Sequence, residues 1–255
     1  MEPSPEGAGP PFPIDPATQR WGLGDVAAGI LASLVLSTLI GGLVVTAAGW
    51  SGTGAADGDP VPIWGLALLQ LPLWGGYLGV TLWATSTKGN GALRDLGVQS
   101  RVLDAPVGLV VGVAAQLVVL PLLYLPILEL TGRTAEELSE PARNLADRAG
   151  DLPEWVLFGV IVGAGAPVVE ELFYRGLFLR SLRKAGLGGL AAVLLSSLVF
   201  AGIHFQPLQF PGLFAFGVIA AGLTTLTGRL GPAIWAHVGF NLTTVVVLYH
   251  DLQPG

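Results

Sequence analysis

Apolar residues run through this chain in long blocks divided by short polar stretches. The first block covers about Val26 to Ala48, the second Val61 to Thr85 and the third Ala105 to Leu128. A fourth extends from about Trp155 to Leu182, followed by Leu187 to His204, Phe210 to Thr227 and Gly231 to Tyr249. A helix needs about 20 mainly apolar residues to cross the hydrocarbon core, so each block reads as a membrane span and seven spans are expected. Trp64 and Trp83 lie near the ends of the second block, where indole rings favour the interface. Pro121 and Pro126 predict a kink or a ragged end in the third.

Two segments break the pattern. Residues 1 to about 20 are Pro-rich without an apolar face and are expected to be a disordered tail, with no cleaved leader. From Thr134 to Ala149 the character changes to charged residues with Leu138, Ala142, Leu145 and Ala149 at helical spacing. Thr134 followed by Glu137 fits a capping box, so this stretch predicts an amphipathic surface helix. The expected fold is an all-α polytopic membrane bundle of about seven transmembrane helices plus that surface helix. Its expected divisions are the tail (1–20), the N-terminal helices with the surface helix (21–152) and a core (153–250), all one integral-membrane domain.

Composition supports this class. Of 255 residues, 52% are hydrophobic and 12% charged, with a mean hydropathy of +0.67. A soluble domain carries about 25% charged residues. There is no cysteine, which removes disulfides, thiolate chemistry and Cys-ligated zinc. Twelve Lys and Arg are scattered without a basic patch, so nucleic acid is not an expected partner. Under the seven-span count Arg20, Lys88, Arg94, Arg101, Arg180, Arg183, Lys184 and Arg229 share one side, against Arg133, Arg143 and Arg148 on the other. This asymmetry predicts a cytoplasmic N-terminus and an outside C-terminus.

Against that background, Glu170-Glu171-Leu172-Phe173-Tyr174-Arg175 is costly. A charge near the bilayer centre is penalised by roughly 3 kcal/mol or more, and such groups face a protein interior or a wet cavity. Glu171 and Arg175 have the spacing of an intrahelical ion pair. Glu170 is turned about 100° away and has no partner at that spacing, which leaves it available. The bland alternative is that both carboxylates brace neighbouring helices.

Two later spans add polar groups. His204 closes Phe200-Ala201-Gly202-Ile203-His204, and His237 opens His237-Val238-Gly239-Phe240-Asn241. His250, at the exposed end, is read as incidental. A carboxylate and an imidazole together hold and deprotonate a water. A second imidazole and an amide NH₂ donate to a developing oxyanion. That set suffices for peptide hydrolysis without a nucleophilic side chain. Gly163, Gly165, Gly176, Gly202 and Gly239 would let helices approach closely, as small residues do in any membrane bundle.

Glu-Glu-x-x-x-Arg, Phe-x-x-x-His and His-x-x-x-Asn, in that order on late hydrophobic helices, resemble the CPBP family of type II CAAX prenyl endopeptidases and bacteriocin-processing (Abi) proteins. The resemblance covers about residues 153 to 249. It implies an intramembrane glutamic endopeptidase with no cofactor. Glu170 would be the catalytic base, aided by His204 in activating water, His237 and Asn241 would form the oxyanion hole, and Glu171 and Arg175 would be structural. Expected partners are a peptide or membrane-protein substrate and the lipid bilayer. Composition leans towards a bacterial inner membrane, and neither the substrate nor its prenylation can be read from the residues.

Two other readings compete. Two histidines and a glutamate could bind zinc with an open water position, although no His-Glu-x-x-His is present. Alternatively, the same polar residues could line a path through a non-enzymatic transporter or partner protein. One geometric tension accompanies the peptidase reading. With parallel fifth and seventh spans, His204 and His237 would differ in depth by roughly 10–15 Å. Either the helices are staggered and tilted, or residues 205–211 dip into the membrane.

Overall fold

The computed structural model describes residues 18–51 and 59–252. Most of the expected Pro-rich tail (1–17) and the centre of the loop from Gly49 to Pro60 (52–58) lie outside the described residues. Among the described residues six helices are long and apolar enough to cross a membrane: α1 (Leu23–Ala48), α2 (Ile63–Lys88), α4 (Asp104–Thr131), α6 (Leu152–Lys184), α8 (Phe210–Thr227) and α9 (Gly231–Leu252). Between them lie a short α3 (Ala92–Asp95), the surface helix α5 (Ala135–Ala146) and α7 (Gly189–Gly202). The only sheet among the described residues is a two-residue parallel pairing of Trp50–Ser51 with Asp59–Pro60. The fold is an all-α polytopic bundle.

The block expected as a fifth full span is therefore a shorter helix. Its 14 residues extend about 21 Å, less than a hydrocarbon core. The turn after it, 203–209, is held from two sides. The hydroxyl of Tyr124 on α4 donates to the carbonyl of Leu208 at 2.8 Å and accepts from the amide of Gly212 at 3.0 Å. The Gln209 side chain donates to the carbonyl of Leu138 on α5 at 2.8 Å. These partners are what irregular backbone requires at membrane depth.

Close helix contacts come from small residues. A Cβ on Gly112 of α4 would lie 2.0 Å from the carbonyl oxygen of Ala236 on α9, and one on Gly239 would lie 2.7 Å from that of Leu109. The backbones of α4 and α9 thus touch, as van der Waals packing in lipid favours. Among the glycines singled out in the sequence, Gly163 meets Leu242 and Gly165 meets Trp74 in the same way, whereas Gly202 faces open space. Leu39, Leu43, Val110 and Leu125 are among many large apolar side chains left exposed on the outer faces of the spans, as lipid contact allows.

The two ends of the bundle differ in charge. At one end Lys88 pairs with Asp25 and Arg229 with Asp104, both at 2.6 Å, and Lys184 donates to the carbonyls of Gln19 and Trp21. Asp95 is buried there, accepting from the side chains of Gln19 and Trp21 at 3.0 and 2.7 Å. At the other end Arg143 pairs with Asp251 at 2.8 Å and Arg148 donates to the carbonyl of Val61 at 2.9 Å. The basic loops assigned to one side by sequence do converge on one end.

Candidate active site

The site is built on an irregularity in α6. This helix widens into π turns over Gly159–Gly165 and Leu172–Phe178, leaving Ala166–Glu171 as an α-helical piece between them. Such turns recur at functional sites. The first has a cause in the sequence. The amide of Ala166 bonds the carbonyl of Ile161, one residue further back than in an α-helix. In that register the carbonyl of Val162 would next be met by residue 167, which is proline and has no N–H. The vacant acceptor is taken instead by Asn241 on α9, whose side-chain amide donates at 2.8 Å. Asn241 therefore ties α9 to the turn that leads into the glutamates.

Glu171 and Arg175 lie at the centre of the bundle, both with 0% exposure. Arg175 Nη1 donates to Glu171 Oε1 at 2.8 Å, as the spacing implied. Arg175 Nη2 reaches the carbonyl of Gly217 on α8 at 3.2 Å, and its guanidinium sits 4.4 Å above the ring of Phe200. Glu171 does more than balance this charge. Its Oε1 also lies 2.9 Å from Nδ1 of His237. An N–H on Nδ1 can donate to this oxygen, which also accepts from Arg175. Nε2 of His237 then points towards Glu170, 3.8 Å from its Oε2. Oε2 of Glu171 has no partner among the described residues.

Glu170 is the more open of the two acids, with 18% of its side chain exposed against none for Glu171. One carboxylate is locked into the frame and the other borders open space, as the helical offset between them predicts. The half-buried His204 lies in the turn after α7, with Nδ1 2.6 Å from the carbonyl of Phe200. Its ring packs 4.8 Å from that of Phe200, and the ring of His237 packs 5.9 Å from the same phenyl. The two imidazoles therefore flank one buried side chain and cannot be further apart than those two distances together. The two histidines thus share one phenyl ring, His204 from the irregular turn that follows the short α7 and His237 from α9.

Three contributors were not assigned a role from sequence. Phe200 stood in the Phe-x-x-x-His pattern, but only packing reveals it as the spacer between both imidazoles and the guanidinium. Tyr77 on α2 shares a buried hydrogen bond with Tyr174, at 2.9 Å between their hydroxyls. It brings an N-terminal span against the helix that carries the acids, and no local spacing signals it. Pro167 was visible, and its missing N–H was the available clue to Asn241. No group of three or more His, Cys, Asp or Glu among the described residues is arranged to hold a metal ion. An apolar cavity of about 230 Å³ lies between α2, α5 and α6, bordered by Leu66, Gln70, Leu145, Phe158 and Val162.

The comparison with known families reaches this same part of the chain. Residues 152–243 match the family model described as Type II CAAX prenyl endopeptidase Rce1-like. This segment is Rce1-like. The Rce1-like segment contains Glu170, His204, His237 and Asn241, while α1 to α5 lie outside it. The match indicates a peptidase of the CAAX type II class, with peptide or protein substrates in a membrane. No curated protein and no solved structure matches the chain.

Proposed function

We propose that this protein is an intramembrane glutamic endopeptidase in which Glu170 is the general base. The observation that carries this reading is the chain Arg175–Glu171–His237, which fixes one imidazole nitrogen and aims the other at Glu170. In this reading a water held by Glu170 and His204 attacks the peptide carbonyl carbon as its proton passes to Glu170. The oxyanion is met by the Asn241 amide and by Nε2 of His237, which donates when the ring is protonated. The C–N bond then breaks, and Glu170 returns the proton to the departing amine. No step uses a cofactor. The apolar cavity bordered by Val162 suits a hydrophobic substrate side chain close to the Asn241 anchor.

The charge asymmetry between the ends supports a cytoplasmic N-terminus, and the Gly/Ala/Leu-rich composition supports a bacterial inner membrane. The test is cleavage of a peptide library by the purified protein, before and after exhaustive chelation, with Glu170→Gln and Asn241→Ala in parallel. The reading expects cleavage that survives chelation, vanishes in Glu170→Gln and falls about 10²- to 10³-fold in kcat in Asn241→Ala. Loss on chelation would favour the zinc reading. Substrate uptake with no cleavage product would favour a transporter.

A further inference from the structure

The hydroxyls of Tyr77 and Tyr174 do not use up their hydrogen-bonding capacity on each other. Each phenol has one proton to donate. One is spent in the 2.9 Å bond between them, and the other meets no acceptor among the described residues. Tyr77 is 4% exposed and Tyr174 1%, so neither side chain opens to the surroundings. A buried donor without an acceptor is destabilising, so the second proton needs a receiver close by.

Glu170 has the matching deficiency. Its carboxylate accepts no hydrogen bond from a described residue, since Nε2 of His237 stands 3.8 Å away, beyond bonding length. Tyr174 follows Glu170 by four residues on α6. Residues four apart share a helix face, and a long side chain leans back over the turn before it. The Tyr174 ring packs edge-on 5.2 Å from Phe200, the same ring that contacts His204, His237 and Arg175. The charge of Glu170 bears on both hydroxyls. The other ionisable neighbours are committed or distant. Glu171 and Arg175 pair with each other, α9 brings His237, and α7 brings His204 beyond Phe200. No ionisable residue lies on α8, and Asp25 of α1 is paired with Lys88 at the end of the bundle.

We propose that Tyr77 and Tyr174 form a donor relay onto the general base. Tyr77 donates to Tyr174, and Tyr174 donates to the Glu170 carboxylate, directly or through one water. This inference rests on the peptidase reading above. Both tyrosines are positioning residues that act through Glu170. Holding one carboxylate oxygen leaves the other to take the proton of the attacking water. Tyr77 lies outside the segment 152–243, so the relay makes α2 part of the site.

The test uses the full-length purified enzyme and one cleaved peptide. Wild type, Tyr174→Phe, Tyr77→Phe and the double variant are compared for kcat and KM across pH and for thermal unfolding. Tyr174→Phe is expected to lose about tenfold in kcat on the pH plateau with KM unchanged, because the carboxylate is no longer held. Its acid limb in kcat/KM should move up by about one pH unit, because the charged carboxylate has lost a donor. Tyr77→Phe should shift both in the same direction by less. The double variant should match Tyr174→Phe, since Tyr77 acts only through Tyr174. A pair that merely braces α2 against α6 would lower the unfolding midpoint and leave the acid limb in place. An unmoved acid limb in Tyr174→Phe, or a double variant whose kcat loss multiplies the two single losses, would overturn the inference. Glu170→Gln is measured alongside. If it is inactive while Tyr174→Phe behaves as wild type, only this inference falls; if it stays active, the peptidase reading itself falls.

Discussion

Replacing Glu171 with alanine would leave the Arg175 guanidinium buried beside an apolar methyl group. Removing one partner of a buried ion pair costs about 3–5 kcal/mol, because the remaining charge is uncompensated. Glu171→Ala should therefore lower the thermal unfolding midpoint in detergent, and the surviving folded fraction should cleave slowly, since His237 loses its anchor. A variant that folds as wild type and is inactive only through KM would argue against this positioning role. The pairing of Glu171 with Arg175 was legible because it depends on one turn of helix. The contact of Glu171 with His237 was not, because those residues are 66 apart in the chain and meet only after α6 and α9 pack. The same holds for Phe200, whose motif position was visible while its place between two imidazoles was not.

At the scale of elements, hydrophobic block length located the spans, and the sixth was bounded at Phe210 and Thr227 as expected. It overestimated α7, because the apolar Leu187 and Ile203, with His204 after them, belong to the turns that flank the helix. The π turns of α6 also escaped the pattern, since apolar periodicity says nothing of hydrogen-bond register. The α4–α9 seam yields a prediction of its own. Gly112→Ala would place a methyl group 2.0 Å from the Ala236 carbonyl, so the helices must separate. An overpacking cost of about 1–3 kcal/mol is expected, together with reduced cleavage, because α9 carries His237 and Asn241. Wild-type stability in Gly112→Ala would show that the seam is looser than described. For the surface helix the capping box forms as read, with the Glu137 amide donating to Thr134 Oγ1 and the Thr134 amide to Glu137 Oε2. The backbone N–H of Thr134 holds the Glu137 carboxyl below its ordinary range, with Arg133 adding to the effect. A group depressed in the folded state stabilises above its unfolded pKa, and that contribution is lost as pH falls through the folded value. Amide protection factors in α5 should accordingly decline in the acid carboxylate range, and Thr134→Ala should weaken the helix by about 1 kcal/mol at neutral pH.

Across the whole molecule, the absence of cysteine makes topology directly measurable. Single cysteines at the exposed Ser100 and Glu140 fall at the basic and the surface-helix ends respectively. With the N-terminus in the cytoplasm, an impermeant thiol reagent added to intact cells should label Glu140→Cys and leave Ser100→Cys unlabelled until the cells are opened. The reverse pattern would invert the orientation. The claim on which the rest depends is that one carboxylate, left uncommitted by the ion pair beneath it, removes a proton from water. Its most direct measurement is the single-turnover cleavage rate of Glu170→Gln against wild type, on the same peptide, in metal-free buffer and at matched folded concentration. The account predicts a loss on the order of 10³-fold or more with an unchanged unfolding midpoint. A rate within tenfold of wild type would contradict it.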